Sequence, residues 1–183
     1  MIFLDFEASG IGGYPIEVGF CMVEADRGMR QAAKLICHPT WLDQTDRWDG
    51  EAERLHGISR ADLVKSGEPP SSVMTWLNRE LRGMVALTDS QLDRRWLWEL
   101  AAAADVPPTF QIEDIAWAFA GPEIAQEADP LEADVVCRAI HRAGPDAEHM
   151  AVRYLMSLSV GAKVHRLYEG KTAVERRPLP VCK

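Results

Sequence analysis

Along the first 38 residues, apolar and polar positions alternate in short runs broken by glycine. Ile2-Phe3-Leu4-Asp5-Phe6-Glu7 alternates as a strand does, and Ala8-Ser9-Gly10-Ile11-Gly12-Gly13 then ends the run in a loop. Pro15 to Val23 and Ala33 to Cys37 are apolar or β-branched runs separated by the turn-prone Asp26-Arg27-Gly28. Residues 1–38 therefore predict three consecutive strands in an antiparallel meander. From about residue 40 the spacing becomes helical. Ser71 or Ser72 can cap a helix through Val73, Trp76, Leu77 and Leu81 that stops at Gly83, and Met84-Val85-Ala86-Leu87 reads as a short buried strand. A helix from about Ser90 to Ala104 ends before Asp105-Val106-Pro107-Pro108. Asp129-Pro130-Leu131-Glu132 combines a capping box with proline at the first helical position, opening a helix to about Arg142. Gly144-Pro145 closes that helix and starts another through Met150, Tyr154 and Leu158. Leading strands followed by strand–helix alternation predict an α/β fold with a mixed sheet covered by helices. Residues 1–158 read as one domain, and 159–183, with Gly161, Gly170, Pro178 and Pro180, as an irregular extension of it.

Composition narrows the class without naming a function. The chain has 183 residues, 47% hydrophobic and 26% charged, which is enough to bury a core without disulfides or a structural metal. No apolar run approaches a membrane span and no signal-peptide pattern opens the chain, so a soluble cytoplasmic protein is expected. Cys21, Cys37, Cys137 and Cys182 form no CxxC pair, and free thiols are expected. The net charge of −8 is uneven: residues 151–183 carry seven basic and two acidic groups, a balance of +5, leaving −13 on the first 150. An acidic body with a basic tail suits a polyanion partner only where metal ions mask local carboxylates, or where the tail forms the contact surface. A solvated tail is the other reading.

Four groups of residues carry candidate chemistry. Asp5 and Glu7 are two apart on a strand, so both carboxylates project from one face while Leu4 and Phe6 point into the core. Such a pair is either a solvated strand face or a site where a divalent cation relieves the repulsion. Thr88-Asp89-Ser90-Gln91-Leu92-Asp93 lies where a strand hands over to a helix, the edge of an α/β sheet at which functional side chains gather. Asp89 could simply cap that helix, and Asp93 could complement its dipole. On one continuous helix His141 and Asp146 would point roughly 140° apart, but the Gly144-Pro145 break lets both face a common cleft. His141 could otherwise cap a helix C-terminus. Among the six tryptophans, Trp76, Trp96, Trp98 and Trp117 sit at apolar spacing in helices and read as core, whereas Trp41 and Trp48 remain candidates for stacking on bases.

Taken together these residues resemble the DnaQ-like DEDDh 3′→5′ exonucleases, the family of proofreading subunits and RNase T, over roughly residues 2–158. Phe3-Leu4-Asp5-Phe6-Glu7-Ala8-Ser9-Gly10-Ile11 is similar to the family's DxE strand and following loop, and His56-Gly57-Ile58-Ser59 to its HGI(S/T) segment. Thr88-Asp89-Ser90-Gln91-Leu92-Asp93 is a degraded form of HNxxFD, with Asp89 for asparagine and Leu92 for phenylalanine, while HxAxxD is intact as His141, Ala143 and Asp146.

The resemblance implies a ribonuclease H-like fold with a five-stranded mixed sheet. It also implies that Asp5, Glu7, Asp93 and Asp146 bind two Mg²⁺ or Mn²⁺ ions, hard cations suited to oxygen ligands, with His141 as general base. Ser9, Gly10, Ile11, His56 and Ile58 would hold the terminal nucleotide. The implied reaction removes nucleoside 5′-monophosphates from single-stranded 3′ ends of RNA or DNA, and a homodimer is a further expectation. The alternative is a non-catalytic nuclease-fold module that binds nucleic acid or a protein partner. A serine or cysteine hydrolase has little support, since GxSxG is absent and no cysteine lies near His141 in sequence.

Overall fold

The computed structural model describes residues 1–25, 28–124 and 127–158; the turn expected at Asp26-Arg27, and the basic segment 159–183 with Cys182, lie outside the described residues. The chain opens with three strands, β1 (Ile2–Ala8), β2 (Pro15–Val23) and β3 (Met29–Leu35), then runs through α1 (Pro39–Asp43), α2 (Gly50–His56), α3 (Arg60–Ser66) and α4 (Pro70–Leu81). β4 (Val85–Thr88), α5 (Gln91–Ala104), β5 (Gln111–Asp114), α6 (Ala116–Phe119), α7 (Pro130–Val136) and α8 (Ala143–Ser157) complete the described fold. The strands form one mixed sheet in the order β3-β2-β1-β4-β5. The first three pair antiparallel, with Asp5 opposite Gly19 and Glu7 opposite Glu17, while β4 runs parallel to β1 and β5 parallel to β4. This is the five-stranded mixed sheet expected above.

Both faces of the sheet are covered, which makes β1 a central strand and not a solvated edge. On one face Leu4, Phe6, Val18 and Phe20 pack against Val73, Leu77 and Leu81 of α4 and Leu97 and Leu100 of α5. On the other, Phe3 and Cys21 pack under Ala147, Met150, Ala151 and Tyr154 of α8. Asp5 and Glu7 therefore continue a face that Phe3 has already buried. The N-terminus of α8 lies directly on the sheet: a Cβ at Gly19 would collide with the backbone of Ala143 and Gly144, so glycine here lets helix and strand touch.

Several boundaries differ from the pattern. β3 starts at Met29, four residues before the expected apolar run, because edge pairing with β2 carries it through the polar stretch Arg30-Gln31. The helix opened by Asp129 ends at Val136, not near Arg142, and Asp129 caps it by accepting the Leu131 N–H. α8 begins at Ala143, so Gly144-Pro145 lies inside its first turn and His141 lies in the preceding loop, not at a helix end. Ser90, not Asp89, caps α5, and α4 starts at Pro70, before Ser71 and Ser72. Trp76 and Trp96 are buried as expected, but Trp98 and Trp117 are 58% and 73% exposed. Trp41 is buried and stacks on Tyr14, so it offers no free face for a base, and Trp48 packs half-buried against the same cluster. Cys21, Cys37 and Cys137 are free thiols. Among the described residues no helix is long and apolar enough to cross a membrane.

Candidate functional site

Because β1 and β4 are parallel, their carboxyl ends lie on one edge of the sheet, the edge where open α/β folds form a crevice. β1 brings Asp5 and Glu7 to that edge. β4 brings Thr88 and Asp89, and the first turn of α5 adds Asp93, which is fully buried. The loop before α8 brings His141, and the first turn of α8 brings Asp146. One ligand atom each from Glu7, His141 and Asp146 lies within 4.8 Å of the others, and the same holds for Asp5, Asp89 and Asp93. The five expected residues thus fall in two groups of three, with Asp89 as an additional carboxylate.

The electrostatics are those of anions confined together. Burial pushes Glu7 up to about 8, helped by the fields of Asp146, Glu17 and Asp93 and opposed by Arg142. Burial raises Asp93 to about 7, with the Thr88 hydroxyl pulling the other way and Asp89 adding to the rise. Asp5 is raised well above the carboxylate range by burial and then by Asp93, Glu7, Asp146 and Asp89. Burial also raises Asp146, against the Ile140 N–H (2.8 Å) that its carboxylate accepts. The Thr88 hydroxyl donates to Asp93 Oδ2, but Asp93 Oδ1 is buried without a partner. A buried, unpartnered carboxylate oxygen among other carboxylates fits a hard divalent cation, for which carboxylate oxygens are the preferred ligands.

A second layer of residues shapes this site. His141 has a left-handed backbone (φ 55°), uncommon for a residue with a Cβ, and it is held by anchors on either side. On one side Asp146 captures the Ile140 N–H. On the other, Arg142 forks onto Glu17 of β2 through Nε (2.9 Å) and Nη2 (2.5 Å), and the Ala143 N–H also donates to Glu17 (2.9 Å). Glu17 is 3% exposed and supplies, from a neighbouring strand, the cap that α8 lacks in its own sequence. The only sequence signal for it is a carboxylate inside the apolar run from Pro15 to Val23. Glu17→Gln should lower stability by about 1–3 kcal/mol in urea unfolding, less than a fully buried pair loses because Arg142 keeps partial solvent access. Unchanged stability would show that Arg142 and the helix end find other partners.

The loop after β1 is built from its own hydroxyl and glycines. Ser9 is fully buried: its Oγ donates to the Arg47 carbonyl (2.9 Å) and accepts the Tyr14 N–H (3.0 Å). Gly10 has φ 153°, and a Cβ there would crowd the Asp49 side chain. Arg47 clamps the loop by donating to the carbonyls of Gly12 (3.2 Å) and Gly13 (2.7 Å) while pairing with Glu99 (2.6 Å). No motif marks Arg47 in the sequence. Ile11 is 77% exposed at the tip of the loop, whereas His56 and Ile58 are 5% and 2% exposed and present little surface to a ligand. His56 Nδ1 accepts the Ile58 N–H (3.0 Å), which fixes the ring as a neutral acceptor, and burial lowers its pKa in the same sense.

Comparison with solved structures finds exonuclease I. A chain described with how exonuclease I achieves processivity matches with TM-score 0.63 and 11% identity over 92% of this chain and 42% of that one. The fold is similar to that of the matched part of exonuclease I. The zinc-bound E. coli exonuclease I complex with single-stranded DNA matches at 0.61 and 12% identity, over 92% of this chain and 41% of that one. A product-bound exonuclease I matches at 0.57 and 12% identity, over 92% and 44%. The present chain therefore spans about two fifths of the exonuclease I chains it matches. No family model and no curated protein matches the sequence.

Proposed function

We propose that this chain is a metal-dependent 3′→5′ exonuclease that releases nucleoside 5′-monophosphates from single-stranded 3′ ends. The observation that carries the reading is the convergence of Asp5, Glu7, Asp93, Asp146 and His141 from three separate parts of the chain on one sheet edge. The shared fold with exonuclease I, found with single-stranded DNA and with a metal in the structures matched above, supports it. Asp5, Glu7, Asp93 and Asp146 would hold two Mg²⁺ or Mn²⁺ ions, which when bound lower the cost of forming a hydroxide nucleophile and of expelling the 3′ oxygen. His141, on an exposed loop beside Glu7 and Asp146, would accept the proton of the attacking water. The exposed Ile11 and the loop held by Ser9 and Gly10 would meet the terminal nucleotide, with His56 and Ile58 acting through the packing beneath them.

The test is incubation of the purified protein with 5′-labelled single-stranded RNA and DNA of one sequence, in Mg²⁺ or Mn²⁺. The expected result is a ladder that shortens from the 3′ end and stops on addition of EDTA. Binding without shortening would replace this reading with the non-catalytic module, for which the acidic Asp89 in the second motif is the suggestive feature.

A further inference from the structure

We infer that the outward face of α5 binds the single strand upstream of its 3′ end, with Arg95 meeting a phosphate and Trp98 stacking on a base. The inference rests on the function proposed above in taking the sheet edge to hold a 3′ terminus, and goes beyond it by assigning a surface to the upstream nucleotides. Trp98 is 58% exposed, and among the described residues no aromatic ring or cation stacks on it. An exposed tryptophan by itself is ordinary. What distinguishes Trp98 is its neighbours.

Arg94 and Arg95 precede it by four and three residues, so both border it on one side of the helix. Arg94 turns to β5, donating to the Ile112 carbonyl (2.9 Å) and pairing with Glu113 (3.4 Å). Arg95 turns to the loop after β1 and donates through Nη1 to the Ile11 carbonyl (3.1 Å). Among the described residues no carboxylate pairs with Arg95, which leaves most of its N–H groups for a phosphate.

The Arg95 contact makes this face continuous with the candidate site. Ile11 is the exposed tip of the loop that leaves β1 just after Glu7, and Arg47 fixes the same loop to α5 by holding the Gly12 and Gly13 carbonyls and pairing with Glu99. A strand whose terminal nucleotide lies on this loop meets Arg95 next, and Trp98 about one turn further along α5. Five residues separate Asp93 from Trp98, which sets them about 140° apart around the helix and about 7.5 Å apart along it. The base on Trp98 therefore lies upstream of the scissile linkage. An unpaired cation beside an open aromatic face matches the alternating phosphates and bases of a single strand, whereas a duplex keeps its base faces stacked inside. Trp117 is also exposed, but α6 contains no basic residue, and it provides the control.

The experiment measures fluorescence anisotropy of 5′-labelled di-, hexa- and dodecanucleotides in Mg²⁺, each with a 3′-terminal phosphorothioate linkage to resist cleavage. Trp98→Ala should weaken binding of the dodecanucleotide by about tenfold and leave the dinucleotide within about twofold; Trp98→Phe should recover most of the loss, and Trp117→Ala should change neither. Arg95→Gln should lower the slope of log affinity against log salt by about one, and Arg95→Lys should keep it. Dodecanucleotide binding that Trp98→Ala leaves unchanged, or weakening that is equal at all lengths, would overturn the inference. So would a wild type that sediments as a dimer and becomes a monomer in Trp98→Ala, which would assign this face to a second copy of the chain. The proposed activity is read separately from an unmodified dodecanucleotide: if it is bound in the Trp98-dependent way but not shortened, the exonuclease reading falls and this surface stands. Absence of any binding by the wild type would sink both.

Discussion

His141→Ala should lower turnover on a single-stranded 3′ end by roughly 10²–10⁴, the range expected when a positioned proton acceptor is lost. The fall should appear in kcat with KM little changed, since His141 stands exposed beside Glu7 and Asp146 and is not part of the loop built on Ser9 and Gly10. Added imidazole should restore part of the rate to this variant, because a small base can enter a cavity left at an exposed position. It should restore none to Asp5→Ala, where the loss is of a different kind. A variant that keeps full turnover would leave His141 as a loop residue with an unusual backbone. A variant that loses Mn²⁺ affinity in step with its rate would mark His141 as a ligand and not a base. Arg142 and Ala143, tied to Glu17, keep the adjoining backbone in place in either case, so loss of fold is not expected to confuse the result.

Metal-free protein should lose stability as pH rises from about 4 to 8, and divalent metal should reverse the trend. The sign follows from the carboxylates. Glu7 is raised to about 8 and Asp93 to about 7, with Asp5 and Asp146 also raised, so the folded protein holds protons that the unfolded chain has already released. Unfolding then releases protons throughout this window, and stability falls with rising pH until the folded-state carboxylates have also ionised. One shift of the size found for Glu7 corresponds to several kcal/mol across the window, with neighbouring shifts overlapping it because the groups repel one another. Urea unfolding in EDTA at steps from pH 4.5 to 8.5 measures the slope directly. In Mn²⁺ at a hundredfold excess over its dissociation constant, one site adds about 2.7 kcal/mol, or roughly 5–10 °C in melting temperature for a chain of this size. The metal effect should grow with pH, since cation and proton compete for the same oxygens. Stability in EDTA that is flat or rising between pH 5 and 8 would contradict the burial of these carboxylates in one cleft.

The motif residues were legible in the sequence to different depths. β1, β2 and α5 follow from local periodicity, and with them the placement of Asp5, Glu7 and Asp93 on a strand face and in a helix's first turn. β5 is only four residues long and carries one buried position, so its place beside β4 is set by pairing and not by any pattern of its own. The stretch from Cys137 to Arg142 shows the opposite failure. Its residues could extend a helix, but Asp134 takes the Ala139 N–H and Asp146 takes the Ile140 N–H, and these side chains end α7 early and free His141 to turn into the cleft. Trp98 and Trp117 keep helical spacing yet face solvent, because spacing specifies a face and not what covers it.

What the sequence determined by itself is the leading strands, β4, the helices α4, α5 and α8, and the chemical type of each motif residue, since strand alternation, turn glycines and helix caps act over a few neighbours. Only the tertiary structure decided that β1 lies at the centre of the sheet, that Asp89 joins Asp5 and Asp93, and that Glu17 holds the end of α8 through Arg142 and Ala143. Those contacts join residues up to 126 positions apart. They depend on parallel pairing and on a helix end resting on a glycine strand, which no local pattern of side chains encodes.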